Sequence, residues 1–247
     1  MRVSLFITCV VDQFYPQVGE AVVQLFTNLG VEVRFNAEQT CCGQPAYNAG
    51  YRREARAVAV QMLRLFEREL QTSDYLIAPS GSCTAMVKNS YRELFSGEPE
   101  LQQRAQRVGE RFYELSQFLV DVLGVEEVGA SFDGRVTYHD SCHLLRELGV
   151  SSAPRKLIRA VRGVEFVEMH APDACCGFGG TFSVKYPEIS TAMVAEKAIN
   201  IARSQADMVV ACDASCLMQT AGFLSREGSK VRCLHLAELL ASRNGDC

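Results

Sequence analysis

This chain of 247 residues has no excess of either charge sign: 25 basic residues face 29 acidic ones, for a net charge of −4. That balance gives no electrostatic reason to expect nucleic acid or an anionic membrane surface as a partner. It also has no apolar run approaching the roughly 18 to 20 residues that a membrane-crossing helix needs. A complete dinucleotide fingerprint is missing too. Gly177-Phe178-Gly179-Gly180 comes nearest, but Phe182 stands where G-x-G-x-x-G places its last glycine, and the segment follows two cysteines rather than a plain strand end. Any chemistry that needs a nicotinamide or flavin therefore calls for a partner protein.

The first residues, Met1 to Cys9, are not read as an export signal. They hold one Arg and a short apolar run, Asp12 follows closely, and the same pattern recurs internally from Arg135 to Cys142. The expected compartment is the cytoplasm, where thiols stay reduced. A composition of 48% hydrophobic and 22% charged residues is that of a globular chain able to bury a core.

Cysteine is plentiful, with eleven in the chain, and nine follow one design written twice. Cys9, Cys41-Cys42-Gly43 and Cys83 reappear as Cys142, Cys175-Cys176-Gly177 and Cys216, at offsets of 133, 134, 134 and 133 residues. Cys212 is an additional member of the second set. Packing alone would accept Ala, Val or Ser at most of these places, so matched cysteines in two copies point to a bound group. The repeat divides the chain into units 1–132 and 133–247.

The copies agree beyond the cysteines. Val3 to Ile7 and Val136 to Asp140 read as strands that run into a cysteine loop. Apolar faces then predict helices over Gly19 to Leu29 and Pro154 to Arg162, each stopped by a glycine (Gly30, Gly163) before a second strand. Long helices over Arg52 to Leu70 and Glu188 to Ser204 follow, then third strands over Ser73 to Ala78 and Ala206 to Ala211. Strand, helix, strand, helix, strand in series predicts an α/β fold of two pseudo-symmetric repeats, each a small parallel sheet flanked by helices. Every repeated cysteine then falls at the carboxyl edge, where open parallel sheets build their sites. A polar stretch around Ser96 to Arg107 has no counterpart in the second copy and reads as a surface helix or loop.

Three chemistries compete for the thiols. Disulfides call for an oxidising compartment, and the adjacent Cys41 and Cys42 can hardly bond each other without backbone strain. Structural zinc usually takes two close cysteine pairs, unlike the spacing here. An iron–sulfur cluster uses thiolates and accepts ligands from distant loops. Gly43 and Gly177 permit close backbone approach, and Gly179 and Gly180 extend that freedom. Because Pro79 lies opposite Cys212, the first site has four cysteines and the second five, which makes the second the expected firmer site.

Three strings carry a family resemblance: Ala78-Pro79-Ser80-Gly81-Ser82-Cys83, Tyr138-His139-Asp140-Ser141-Cys142-His143, and Cys175-Cys176-Gly177-Phe178-Gly179-Gly180. The chain resembles the paired CCG domains found in the cysteine-rich component of heterodisulfide reductase and in the iron–sulfur component of glycolate oxidase, and most of all the lactate utilization protein A family. The resemblance implies an iron–sulfur electron-transfer subunit of a cytoplasmic complex that oxidises L-lactate to pyruvate, working with other subunits that include a larger iron–sulfur protein. It implies one or two clusters per chain, of the [4Fe-4S] type and of non-cubane form if the reductase pattern holds. It places Cys142, Cys175, Cys176, Cys212 and Cys216 at the firmer site and Cys9, Cys41, Cys42 and Cys83 at the weaker. Cys212 and Cys216 are separated by three residues where the reductase has two, which leaves cluster type open. A thiol–disulfide reductase subunit and a zinc-stabilised scaffold are the alternative readings.

Other residues carry blander expectations. His139 and His143 flank Cys142, where an imidazole can ligate iron, donate to a cluster sulfur, or order the loop through Asp140; the last is the expected role. His170 and His235 read as surface or packing residues, Cys233 as a small core residue, and Cys247 as a terminal thiol. Asp140 and Asp213 adjoin candidate ligands, with nothing to pair them as acid and base. The charge run from Glu98 to Arg111 reads as a solvated helix face.

Overall fold

A computed structural model describes residues 1–243, so Cys247 lies outside the described residues. The chain forms two four-stranded sheets, parallel throughout, with helices around them. The first contains β1 (Arg2–Leu5), β2 (Glu32–Phe35), β3 (Tyr75–Ala78) and β4 (Phe112–Glu114) in the order β2-β1-β3-β4. The second contains β5 (Ser131–Tyr138), β6 (Arg162–Phe166), β7 (Met208–Ala211) and β8 (Arg232–His235) in the order β6-β5-β7-β8. Among the described residues no helix is long and apolar enough to cross a membrane.

The fourth strand of each sheet is an addition to the three read from the repeat. Phe112–Glu114 and Arg232–His235 are too short to show a period of two, and each runs directly into a helix. Helical and extended residues therefore merged in one apolar pattern. A second difference concerns Gly163. The helix before it, Ser152–Arg159, ends earlier than expected, and Gly163 lies inside β6 at φ +82. There the β5–β6 register shifts between Ser131 and Gly134, and a Cβ on Gly163 would lie 2.1 Å from Asp133 Oδ1. The glycine is needed for a bulge, not for a helix stop. Gly30, by contrast, follows helix Pro16–Asn28 at φ +69, as a helix-terminating glycine should.

The long helices Arg52–Glu69 and Pro187–Ser204 match the sequence reading closely. Their buried faces coincide at an offset of 135: Ala55, Ala59, Met62, Leu65 and Phe66 correspond to Ser190, Val194, Lys197, Asn200 and Ile201. The inserted helix Pro99–Glu110 is mostly solvated, but it buries Ala105, Val108 and Gly109.

One continuous apolar core joins the two halves. Helix Leu236–Ala241 of the second half packs on helix Pro16–Asn28 of the first, so Val18, Val22, Leu25 and Phe26 share a core with Leu236, Leu239 and Leu240. The equivalent segment Phe118–Val122 of the first half packs on helix Ser152–Arg159 of the second. This reciprocal exchange turns the carboxyl edges of the two sheets toward one another. The site is built between them.

Candidate metal centre

In each sheet the order reverses between the first strand and its two neighbours, and loops from adjacent strands part there to leave a crevice. Cys9 follows β1, Cys41 and Cys42 follow β2, and Cys83 follows β3; the second half repeats this with Cys142, Cys175, Cys176 and Cys216. Cys42, Cys83, Cys176 and Cys216 are buried, whereas Cys9, Cys41, Cys142 and Cys175 are half-buried. Each half thus has a deep pair and a shallow pair. Cys9, Cys42, Cys83, Cys142, Cys175, Cys176 and Cys216 line one cavity that opens to solvent.

Within the first half the sulfurs form a chain. Cys9 Sγ lies 3.8 Å from Cys41 Sγ, and Cys42 Sγ lies 3.3 Å from Cys83 Sγ. All ten described cysteines are free thiols. The Gly43 N–H donates to Cys41 Sγ at 3.4 Å, and the Gly177 N–H repeats this to Cys175 Sγ at 3.4 Å. Both glycines have positive φ, of 90° and 83°. That conformation lets the chain turn sharply just after the double cysteine. The thiols of Cys42 and Cys9 donate to Cys41 and, with the glycine amide, hold its pKa down to about 3; Cys142, Cys176 and the Gly177 amide hold Cys175 down to about 2. Their partners Cys9 and Cys142 are pushed up for the converse reason. Each set is ready to present thiolate, the form that binds metal.

Comparisons with known proteins support the same grouping. A family model for the cysteine-rich CCG domain matches residues 3–88 and again residues 136–220, segments that contain the eight repeated cysteines and Cys212. The lactate utilization protein A of Geobacillus kaustophilus is 50% identical over 244 residues, covering 99% of this chain and 100% of that protein. That of Oceanobacillus iheyensis is 49% identical over 240 residues, covering 97% of this chain and 96% of that protein. The chain belongs to the lactate utilization protein A family. Among solved structures, a putative Asp/Glu racemase from Yersinia pestis overlaps 98% of this chain and 96% of its own, at 8% identity and a TM-score of 0.40, too distant to bear on function.

One cysteine of the family pattern is held elsewhere. Cys212 is fully buried at the end of β7, in the core with Val136, Met208 and Leu236, and accepts a hydrogen bond from the Tyr138 hydroxyl at 3.4 Å. Burial pushes its thiol up. It does not line the cavity. Its counterpart Pro79 is equally buried and accepts at its carbonyl from His235 Nε2, 3.1 Å away. Positions 79 and 212 therefore both belong to the seam between the halves. Around the cavity itself stand three cysteines of the first half and four of the second, with Cys41 beside Cys9 just outside the lining.

The seam is also held by Asp213, which is buried and accepts from the hydroxyls of Ser80 (2.8 Å) and Ser82 (2.7 Å) and from the Ser82 N–H (3.1 Å). Burial raises its pKa to about 6 despite these donors. Gly81 lets helix Gly81–Ala85 approach helix Cys142–Arg146, since a Cβ there would lie 2.5 Å from Leu144 Cβ. His235 is the packing residue the sequence suggested, and its imidazole also caps helix Leu236–Ala241 by accepting from the Ala237 N–H. Cys233 is partly buried against Met169, Val209 and Leu224, in a cluster separate from the cysteine cavity.

His139 departs from its expected role. Asp140 does not touch it but binds Arg155 through both carboxylate oxygens, at 2.9 and 2.6 Å, while Arg155 also grips Glu168. The His139 side chain is buried, and neither ring nitrogen has a hydrogen-bond partner among the described residues. Its nearest nitrogen and the sulfurs of Cys176 and Cys216 all lie within 4.8 Å of one another. His143, the other flanking histidine, places Nδ1 3.5 Å from Cys142 Sγ. Sequence alone could not choose between loop and sulfur, because the choice depends on which side of the β5 extension the ring faces.

Proposed function

We propose that the chain is an iron–sulfur protein of lactate utilization that holds one cluster per half and passes electrons in the oxidation of L-lactate to pyruvate. The carrying observation is the convergence of seven thiols, Cys9, Cys42, Cys83, Cys142, Cys175, Cys176 and Cys216, on one cavity, with Cys41 joined to the first set through Cys9 Sγ, 3.8 Å away. The donor chemistry fits: four thiols in each half, a backbone N–H aimed at one sulfur in each, and glycines that allow close approach. A cluster bound there would supply one-electron chemistry at a potential set by its surroundings. A [4Fe-4S] type suits four thiolates per half. Cys212 serves the seam rather than the cluster.

The chain's own residues exclude bulk water from the deep pair in each half, fix the loops, and offer thiolate ligands. The carboxylates nearest the thiols do not form an acid–base pair suited to lactate, since Asp140 is bound by Arg155 and Asp213 by the serines. Substrate chemistry in this reading belongs to partner subunits, one of them a larger iron–sulfur protein, in a cytoplasmic complex. The relatives' names support the lactate assignment.

Anaerobic purification of the full chain, with iron, zinc and sulfide analysis, tests the cluster. Iron and sulfide in equal amounts are expected, falling by half in Cys216→Ser and unchanged in Cys212→Ser. Stoichiometric zinc without sulfide would overturn the proposal, and a loss in Cys212→Ser as large as that in Cys216→Ser would overturn the ligand set. Deletion in a host without another lactate dehydrogenase should abolish growth on lactate, and normal growth would remove the lactate assignment.

A further inference from the structure

The two thiol sets match, but what surrounds them does not. The backbone places His139 and Phe6 at equivalent positions: the His139 N–H donates to the Val210 carbonyl at 2.9 Å, and the Phe6 N–H to the Ile77 carbonyl at 2.8 Å, each one step beyond β5 or β1. Phe6 packs edge-on against Phe66 and Phe112, at centroid distances of 5.2 and 6.1 Å, as an ordinary core residue. For His139 the described residues provide no partner to either ring nitrogen. An imidazole always carries at least one N–H donor, and leaving it unmade in a buried site costs free energy. The polar atoms close to it are the sulfurs of Cys176 and Cys216.

A second replacement has the same sign. Met62, on the buried face of helix Arg52–Glu69, accepts at its sulfur from the Thr40 N–H and hydroxyl, each at 3.4 Å. The equivalent Lys197, fully buried, donates from Nζ to the carbonyls of Ala171 (2.9 Å) and Pro172 (3.0 Å), bracing the loop that leads to Cys175. The first half thus meets its thiols with a phenyl ring and a thioether. The second meets them with an imidazole and sets a buried amine behind the loop that carries Cys175.

We propose that His139 donates an N–H···S hydrogen bond to the Cys216–Cys176 thiolate pair and, with Lys197, holds the second-half cluster at a higher reduction potential than the first-half cluster. Donors and positive charge beside the sulfurs favour the reduced, more negative state, which raises the potential. One electron then moves favourably from the first half, oxidised by one unit, to the second, reduced by one. The inference rests on the iron–sulfur reading above. His139 acts as a positioning residue rather than as a ligand.

The test is an EPR-monitored redox titration of the full chain, loaded anaerobically with iron and sulfide, as wild type, His139→Phe and His139→Gln. His139→Phe copies the first half, and His139→Gln keeps an N–H donor in a smaller side chain. In His139→Phe one of two potentials should fall by at least a tenfold change in the equilibrium constant for reduction, about 59 mV for a one-electron couple, with the other unmoved and iron content retained. The shift in His139→Gln should be smaller, and Lys197→Met should lower the same potential. Unchanged potentials in loaded variants overturn the proposal. So does a strong directly bonded nitrogen coupling in pulsed EPR of the wild type that is lost in His139→Gln, which would make His139 a ligand. Should His139→Phe fail to fold, the Gln and Lys197→Met variants decide. A wild type that takes up no iron and sulfide is a different result: it removes the cluster reading itself.

Discussion

The loop after β1 and the loop after β5 have the same task, to hold a cysteine over the crevice, and they accomplish it by different physics. In the first half, Ile7 occupies the position of Asp140, and its backbone N–H is fixed by the Gln39 side chain at 2.7 Å, which also donates to the Leu5 carbonyl. In the second, the buried carboxylate of Asp140 is clamped by Arg155, whose guanidinium reaches Glu168 and lies 5.1 Å from the Tyr138 ring centroid. One loop is held by neutral hydrogen bonds and the other by a desolvated ion pair. Duplicated backbone geometry therefore does not imply duplicated electrostatics. The same contrast separates Phe6 from His139 and Met62 from Lys197, so at each of these three positions the second half is the polar copy.

The ion pair gives the largest expected effect. Arg155→Met leaves the carboxylate of Asp140 buried without its partner and should lower stability by about 3–5 kcal/mol in urea unfolding. The double replacement Asp140→Ile with Arg155→Val, which copies Ile7 and Val22, should recover most of that loss. A single variant as stable as wild type would break the claim that the second loop depends on charge.

The pseudo-equivalent capping residues Glu114 and His235 should respond to pH in opposite directions. Burial pushes His235 down to about 4 from 6.5, so the unfolded chain binds a proton that the folded one refuses, and stability falls as pH drops from 6.5 through 4. Burial raises Glu114 to about 7 from 4.5, even though it caps the next helix by accepting from the Ser116 and Gln117 N–H groups; its contribution is full below 4.5 and lost as pH rises through 7. Each full effect is of order 3 kcal/mol. His235→Asn should flatten the acid limb of the stability profile and Glu114→Gln the fall in stability between 4.5 and 7. A variant profile parallel to wild type within its own window would remove that residue from the comparison.

The smallest expected difference separates the two CCG glycines. A Cβ on Gly177 would lie 2.5 Å from the Ser190 carbonyl oxygen, whereas one on Gly43 would lie 3.2 Å from that of Ala55. Both alanine variants adopt positive φ at a cost of about 1–2 kcal/mol, and Gly177→Ala adds an overpacking term of about 1–2 kcal/mol. Equal losses in the two variants would show that the helix behind Gly177 yields as readily as the one behind Gly43.

Much of this was legible in the amino-acid order. The offsets of eight paired cysteines identified the repeat, the apolar runs located six of the eight strands, and parallel topology followed because each strand is separated from the next by a helix. Strands β4 and β8 escaped because three or four residues leading straight into a helix show no period of their own. Gly163 looked like a helix stop because the sequence cannot show a bulge in the neighbouring strand.

The sequence by itself determined the clustering of thiols and the edge of the sheet on which they sit, since residue type and strand order are local properties of the chain. Which of the thiols meet, only the tertiary structure decided. Cys212 and Cys216 are one helical turn apart in sequence, yet one points into the seam beside Tyr138 and the other into the cavity beside His139. Side-chain direction at a strand end depends on how the two halves dock, and that docking is set by an apolar core shared between residues more than two hundred positions apart, such as Val22 and Leu239.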